Sequence, residues 1–137
     1  MQQTLTILKP DTVRAGNVGG VIRMIETAGF RIRAAKMLHL SEAKAQGFYA
    51  VHRERPFFND LVRFMTEGPV MVMMLEADDA VVRLRTLMGA TDPSRAEDGT
   101  IRRNFGTNIE RNAIHGSDAP ETAAVEIGYF FSQLEIV

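Results

Sequence analysis

The chain has 137 residues, the length of one domain spanning 1–137, and its 45% hydrophobic and 24% charged content is globular rather than disordered. The absence of cysteine excludes disulfides, thiolate nucleophiles and Cys-based zinc sites, and three histidines (His39, His52, His115) outside any H-E-x-x-H pattern argue against a resident metal. Sixteen basic and seventeen acidic residues leave a net charge of −1, too little field to hold a nucleic-acid backbone, although the basic set is thirteen Arg to three Lys.

The start, Met1-Gln2-Gln3-Thr4, lacks the basic region and apolar run of a signal peptide. Thr4–Leu8 reads as a strand ending at Lys9-Pro10. Asn17–Ala28 reads as a helix with Val18, Val21, Ile22 and Ile25 on one stripe and Gly29 as its C-terminal cap. Phe30, Ile32 and Ala34 alternate with Arg31, Arg33 and Ala35, a half-buried strand running towards Leu40. Ser41 caps a helix carrying Ala45, Phe48 and Tyr49, and a second short helix follows with Pro56 at an early position, stopped by Gly68-Pro69.

Val70–Leu75 is apolar throughout, the pattern of a central strand covered on both faces or of one at a subunit contact, and far too short to span a membrane. Asp78 or Asp79 is placed to cap a helix through Met88. Gly89–Gly99 is a loop long enough to carry function, and Arg102-Arg103 open a short helical segment. The last helix is expected to start at Asp118, with Glu121 completing a capping box, and to reach about Phe131; Leu134–Val137 adds a short edge strand. This order favours an α+β sandwich, a ferredoxin-like βαββαβ core with helices packed on a four-stranded antiparallel sheet, in a protein expected to be cytoplasmic.

Two side chains fall where helical periodicity asks for apolar ones. Glu126 shares a stripe with Ala119, Ala123, Ile127 and Phe130. A carboxylate there either reaches solvent at the edge of the interface or orients a second group. His115 stands just ahead of this helix, beside Gly116, read as a sharp turn, and Ser117. Holding one imidazole nitrogen fixes the other as a lone pair suited to a base or nucleophile; the alternative is an ordinary surface or capping histidine. Ser117 lies too near His115 for a hydrolase triad, and no nucleophile elbow is present.

Arg85 lies between Val81, Leu84 and Met88. Its stem either covers the apolar face or delivers a guanidinium to an anion, with Thr91 and Arg102 joining if the loop folds back. No G-x-x-x-x-G-K-[ST], no G-x-G-x-x-G within Gly16–Gly20 and no D-F-G or H-R-D set appears. Phosphate would therefore be held by arginines and a histidine rather than by a glycine cradle.

The segment Asn112-Ala113-Ile114-His115-Gly116-Ser117-Asp118 resembles the active-site signature of nucleoside diphosphate kinases, in their short bacterial form. The resemblance covers essentially the whole chain. It takes in Thr6-Ile7-Leu8-Lys9-Pro10-Asp11, Arg55-Pro56-Phe57-Phe58, Gly68-Pro69-Val70, Leu87-Met88-Gly89-Ala90-Thr91-Asp92-Pro93 and Gly99-Thr100-Ile101-Arg102, in order. It implies ping-pong transfer of a γ-phosphate from a nucleoside triphosphate to His115 and on to a nucleoside diphosphate, with low base specificity.

By that match, His115 attacks through Nδ1, Glu126 accepts from the other ring nitrogen and Ser117 buttresses Glu126. Arg85, Thr91 and Arg102 hold phosphates, with His52 more peripheral. Tyr49 and Lys9 sit beside His115 and the transferred group; Lys9 and Asn112 contact the sugar; Phe57 stacks on the base between Leu61 and Ile109. Mg²⁺ is implied on the nucleotide phosphates, with no metal ligand from the protein. The resemblance also implies a homo-oligomer; the chain ends at Val137, before the extension that longer members use in subunit contacts, so a tetramer is expected ahead of a hexamer or dimer. Neither a membrane nor nucleic acid is an expected partner. The other reading is a non-catalytic nucleotide- or nucleic-acid-binding, or regulatory, member of the same fold.

Overall fold

In the computed structural model, which describes residues 1–137, four strands form one antiparallel sheet: β1 (Gln2–Leu8), β2 (Arg31–Leu38), β3 (Val70–Ala77) and β4 (Ile114–Gly116), in the order β2-β3-β1-β4. Seven helices cover it: α1 (Pro10–Arg14), α2 (Val18–Thr27), α3 (Glu42–Phe48), α4 (Phe58–Met65), α5 (Ala80–Met88), α6 (Ile101–Phe105) and α7 (Pro120–Phe130). This is the ferredoxin-like sandwich expected from the element order. No helix is long and apolar enough to cross a membrane.

The unbroken apolar run of β3 follows from its central place. Val70, Val72 and Met74 pack among α3, α4 and α7, with Ala45, Val62, Ile127 and Phe130. Met73, Leu75 and Ala77 face the other way, into Val21, Ile25, Ala80, Leu84 and Met88 of α2 and α5. A strand buried on both sides has no polar positions to alternate. β1 pairs with β3 and, over Thr6–Leu8, with β4, so Ile7 lies opposite His115.

Several boundaries differ from the sequence reading, each for a local reason. The sequence shows no strand at β4 because three residues carry no period; it forms because Ile114 and Gly116 face α5. A side chain at Gly116 would meet Met88 Sδ at 2.5 Å, so this glycine permits close packing rather than a turn. Gly29 does cap α2, at φ +93°. Asp79 precedes α5 with φ +50° but makes no side-chain cap; Gln2 Oε1 accepts from the Val81 N–H instead.

Ser41 caps α3 as expected, accepting from the Lys44 N–H. Pro56 lies outside α4, which begins at Phe58. Asp118 is drawn off to Arg85, at 2.8 Å, so α7 starts at Pro120 after Ala119, whose N–H donates to Thr122 Oγ1. Leu134–Val137 is no strand: Gln133–Glu135 is a single 3₁₀ turn, and the chain end is tied to β2 through Val137 N–H to Arg33 O at 2.9 Å, the Arg33 Nε bond to Val137 O and the Lys36–Glu135 ion pair at 3.0 Å. The loop after α5 contains a 3₁₀ turn at Pro93–Arg95, and Pro10–Arg14 forms a helix too short for periodicity to reveal.

Candidate active site

The alternation of β4 decides where its histidine goes. Ile114 is buried on the α5 side, so His115 projects to the α7 side, where Phe48 of α3 meets its ring edge-on at 5.4 Å between centroids. Its backbone is fixed from β1, since Thr6 Oγ1 donates to His115 O at 2.8 Å. One turn and a half into α7, Glu126 reaches back. His115 Nε2 and Glu126 Oε1 are 2.9 Å apart, and Ser117 Oγ donates to the same oxygen at 2.9 Å. Both side chains are only about one-fifth exposed, 20% and 19%. Ser117 is fully buried and also accepts from Leu5 N–H, so the acid is braced from the sheet.

A carboxylate can only accept, so this hydrogen bond puts a proton on Nε2, and in the neutral tautomer that leaves the lone pair on Nδ1. Glu126 is thus mostly covered and hydrogen-bonded to the ring rather than extended into solvent at a helix edge. Tyr49 lies beside this pair, buried, its hydroxyl without a protein partner. Burial, and secondarily the charge of Glu126, push its phenol well above the usual range.

These groups open onto a cleft of about 360 Å³. Its lining contains Lys9, Tyr49, His52, Phe57, Leu61, Arg85, Thr91, Arg102, Ile109, Asn112, His115 and Glu126. Twelve of the thirteen residues singled out in the sequence thus share one wall-to-wall space, and Ser117 stands behind it. Phe48, Val51, Asp118 and Thr122 line it as well. Sequence reasoning missed Phe48 because helical spacing reads it as core; its aromatic neighbours Tyr49 and Phe130 bear that out, yet its edge also confines His115.

The cations occupy the cleft in different ways. Arg85 is half-exposed on α5 and bonds Asp118 at 2.8 Å and Gly116 O at 3.3 Å. It neither merely covers the apolar face nor lies free, because Asp118 pairs with it at the cleft. Arg102 is buried, its guanidinium donating to Asn112 O, Gly89 O and Ile114 O at 3.3, 3.1 and 2.9 Å. Burial first, and the charge of Arg85 second, lower its pKa to about 10, so it is protonated at neutral pH. Two guanidiniums close enough to repel make a place where an anion is favoured.

Lys9 Nζ donates to Asn112 Oδ1 at 2.8 Å, and Asn112 Nδ2 donates to Thr91 O at 3.1 Å. At the far end Phe57, Leu61 and Ile109 open a slot of about 330 Å³ that Lys9, Asp60 and Glu110 also line. Phe57 is 48% exposed, a large aromatic face left uncovered, with the His52 ring 5.6 Å away. The cleft therefore runs from a flat apolar slot, past hydrogen-bonding groups, to a cationic end holding an aimed imidazole.

A family model described as nucleoside diphosphate kinase matches residues 2–136. The chain belongs to the nucleoside diphosphate kinase family. Among its relatives, the nucleoside diphosphate kinase of Desulfosudis oleivorans is 60% identical over 137 residues, 100% of this chain and 99% of that one. That of Chlamydia felis is 59% identical over 100% of this chain and 97% of its own. In three dimensions the Aquifex aeolicus nucleoside diphosphate kinase superposes with a TM-score of 0.97 at 46% identity, covering 99% of each chain. The Halobacterium salinarum nucleoside diphosphate kinase, solved in complex with CDP, gives 0.95 at 40% identity over 99% of this chain and 91% of the other. The family is one of phosphotransferases acting on nucleotides, and the catalytic reading stands ahead of the non-catalytic one.

Proposed function

We propose that this nucleoside diphosphate kinase family member moves the γ-phosphate of a nucleoside triphosphate to a nucleoside diphosphate through phosphohistidine at His115. The observation that carries the reading is the single carboxylate oxygen of Glu126 that accepts from both His115 Nε2 and Ser117, inside a cleft lined by Arg85, Arg102 and Lys9. The Nδ1 lone pair attacks the γ-phosphorus as the bond to the β-bridging oxygen breaks and the diphosphate leaves with that electron pair. The second diphosphate reverses the step: its terminal oxygen attacks phosphorus and the P–N bond breaks. The proton stays on Nε2, hydrogen-bonded to the Glu126 carboxylate, whose negative charge stabilises the positive charge that grows on the ring.

Phosphoryl transfer asks mainly for alignment and charge neutralisation. In this reading Arg85, Arg102 and Thr91 hold the phosphates, with His52 at the periphery, and Lys9 and Tyr49 flank the transferred group. Lys9 and Asn112 also bind the sugar. Phe57 stacks on the base against Leu61 and Ile109, worth about 1–3 kcal/mol and indifferent to which base it is. The Halobacterium salinarum relative, solved in complex with CDP, supports a nucleoside diphosphate as ligand. In this reading Mg²⁺ is carried on the nucleotide phosphates, while the cationic and hydroxyl groups of the cleft hold the phosphate oxygens. β2 lies at the edge of the sheet with Met37 about half exposed, which suits pairing with another copy, and we carry a homo-oligomer, a tetramer first, as part of the proposal. Sedimentation equilibrium counts the subunits.

The test is incubation with γ-labelled ATP followed by chase with an unlabelled nucleoside diphosphate. An alkali-stable, acid-labile label that the chase removes is the expected result; a protein that takes no label refutes the reading.

Lys9 gives this reading a pH signature. Burial, and then the nearby Arg102, lower its pKa from 10.5 to about 8, while Asp11 and Glu110 oppose the shift. In the free enzyme the ammonium is therefore lost as pH rises through about 8, and with it a cation for the phosphates. The profile of kcat/KM, which reports the free enzyme, should fall above that pH, and Lys9→Arg should remove this limb. The same shift makes the folded state bind fewer protons than the unfolded chain between the two pKa values, so Lys9 should make stability rise with pH there. Urea midpoints across pH 8 to 10 in wild type and Lys9→Met read that slope.

A further inference from the structure

Ala113 is a buried non-glycine residue with φ +77°, and Ile114 N–H donates to Asn112 O at 2.9 Å across it. A bond from i+2 back to i with positive φ at the centre is the rare, strained form of the γ-turn. Strain of this kind persists only where the surroundings over-determine it. Here they do so from α1. Asp11 Oδ2 accepts from Ala113 N–H at 3.1 Å, while Lys9 N–H and Thr12 Oγ1 both donate to Ala113 O, at 2.9 and 2.8 Å. The Asp11 carboxylate is the only side-chain acceptor on that N–H. On one side of the turn Asn112 meets Lys9; on the other, two residues on, His115 meets Glu126.

We propose that Asp11 is a positioning residue of the phosphotransfer site, holding Ala113 in the strained γ-turn so that Asn112 and His115 are presented to the cleft together. This rests on the phosphohistidine reading above. Asp11 does not line the cleft and touches no reacting group; it acts through the backbone. Without its acceptor the buried Ala113 N–H is unpaired and the turn can relax to negative φ, moving the imidazole out of line. Small misplacements of a nucleophile are costly in rate and cheap in binding.

The experiment measures the rate of His115 labelling by γ-labelled ATP, and ADP affinity separately, in four proteins: wild type, Asp11→Ala, Asp11→Asn and Asp11→Ala combined with Ala113→Gly. Asp11→Ala should slow labelling about tenfold or more, with ADP affinity changed less than about twofold. Asp11→Asn keeps an oxygen acceptor and should restore most of the rate. Ala113→Gly makes positive φ nearly free, so the double variant should also recover. Undiminished labelling in Asp11→Ala overturns the proposal. So does an Asp11→Asn rate as low as that of Asp11→Ala, which would mean that the charge acts on Lys9 rather than the acceptor on the turn. A double variant as slow as Asp11→Ala alone overturns it too. The ring ¹⁵N shifts of His115 give a readout that needs no turnover: Asp11→Ala should perturb them, and the double variant should return them. A wild type that takes no label would sink the phosphohistidine reading, while these shifts would still decide the clamp.

Discussion

His115→Ala is expected to take up no label from γ-labelled ATP and to lose nucleoside diphosphate kinase turnover by at least about 10⁴-fold, with ADP affinity little changed. The affinity follows from the layout of the cleft. Phe57, Lys9, Arg85 and Arg102 come from separate elements and do not need the imidazole to hold their places. The rate follows from the slot. In the phosphohistidine reading the apolar slot of about 330 Å³, built on the exposed Phe57 ring, holds one base and so one nucleotide at a time. Direct transfer between a bound triphosphate and a bound diphosphate therefore has no geometry, and no slow bypass should survive loss of the carrier. Single-turnover labelling together with ADP titration checks both halves. A variant that still exchanges phosphate between nucleotides above the uncatalysed rate, without label on the protein, would show that donor and acceptor are bound together and would remove His115 from the pathway.

The parts of this site that are legible in the sequence are those where chemistry conflicts with periodicity. Glu126 stands out because a carboxylate shares a stripe with Ala123 and Ile127, and the structure gives it two donors to satisfy. Arg85 stands out likewise, although its partner Asp118 reads in the sequence as a helix cap; a full guanidinium charge nearby outcompetes capping for that carboxylate. The alternation in β2 and the two-sided apolar run of β3 reveal the sheet, because these strands, each eight residues long, carry a pattern long enough to read. What stays hidden is short or non-local. β4 has three residues and α1 five, below any useful period, and β4 depends on two distant partners, the edge of β1 and the face of α5. The positive φ of Ala113 is invisible for a different reason: alanine carries no turn signal, and the conformation is imposed by Asp11, Lys9 and Thr12 about a hundred residues earlier.

Arg102 shows how one residue type can serve two ends, and its replacement carries the largest expected cost in stability. The sequence assigns its guanidinium to phosphate; the structure shows it already spanning three carbonyl oxygens, of Gly89, Asn112 and Ile114. Those carbonyls belong to the end of α5, to the γ-turn and to β4, so one planar group ties the loop after α5 to the strand that carries His115. Arg102→Met keeps much of the apolar stem but leaves buried acceptors short of a donor, at about 1–3 kcal/mol each. Relief of the burial cost and of repulsion from Arg85 offsets part of this. A net loss of about 2–4 kcal/mol is therefore expected, read as a lower urea midpoint at unchanged m-value. Lysine should not rescue it, because a single ammonium cannot reproduce the planar fork that reaches three oxygens at once. The phosphate role is separable from the structural one by linkage. Saturating ADP should raise the wild-type midpoint more than that of Arg102→Met if the guanidinium also binds phosphate. An unchanged midpoint without nucleotide would mean that the three carbonyl bonds contribute nothing to holding β4 in place. An equal ADP-induced rise in both proteins would leave Arg102 a purely architectural residue and Arg85 the cation that meets the phosphates.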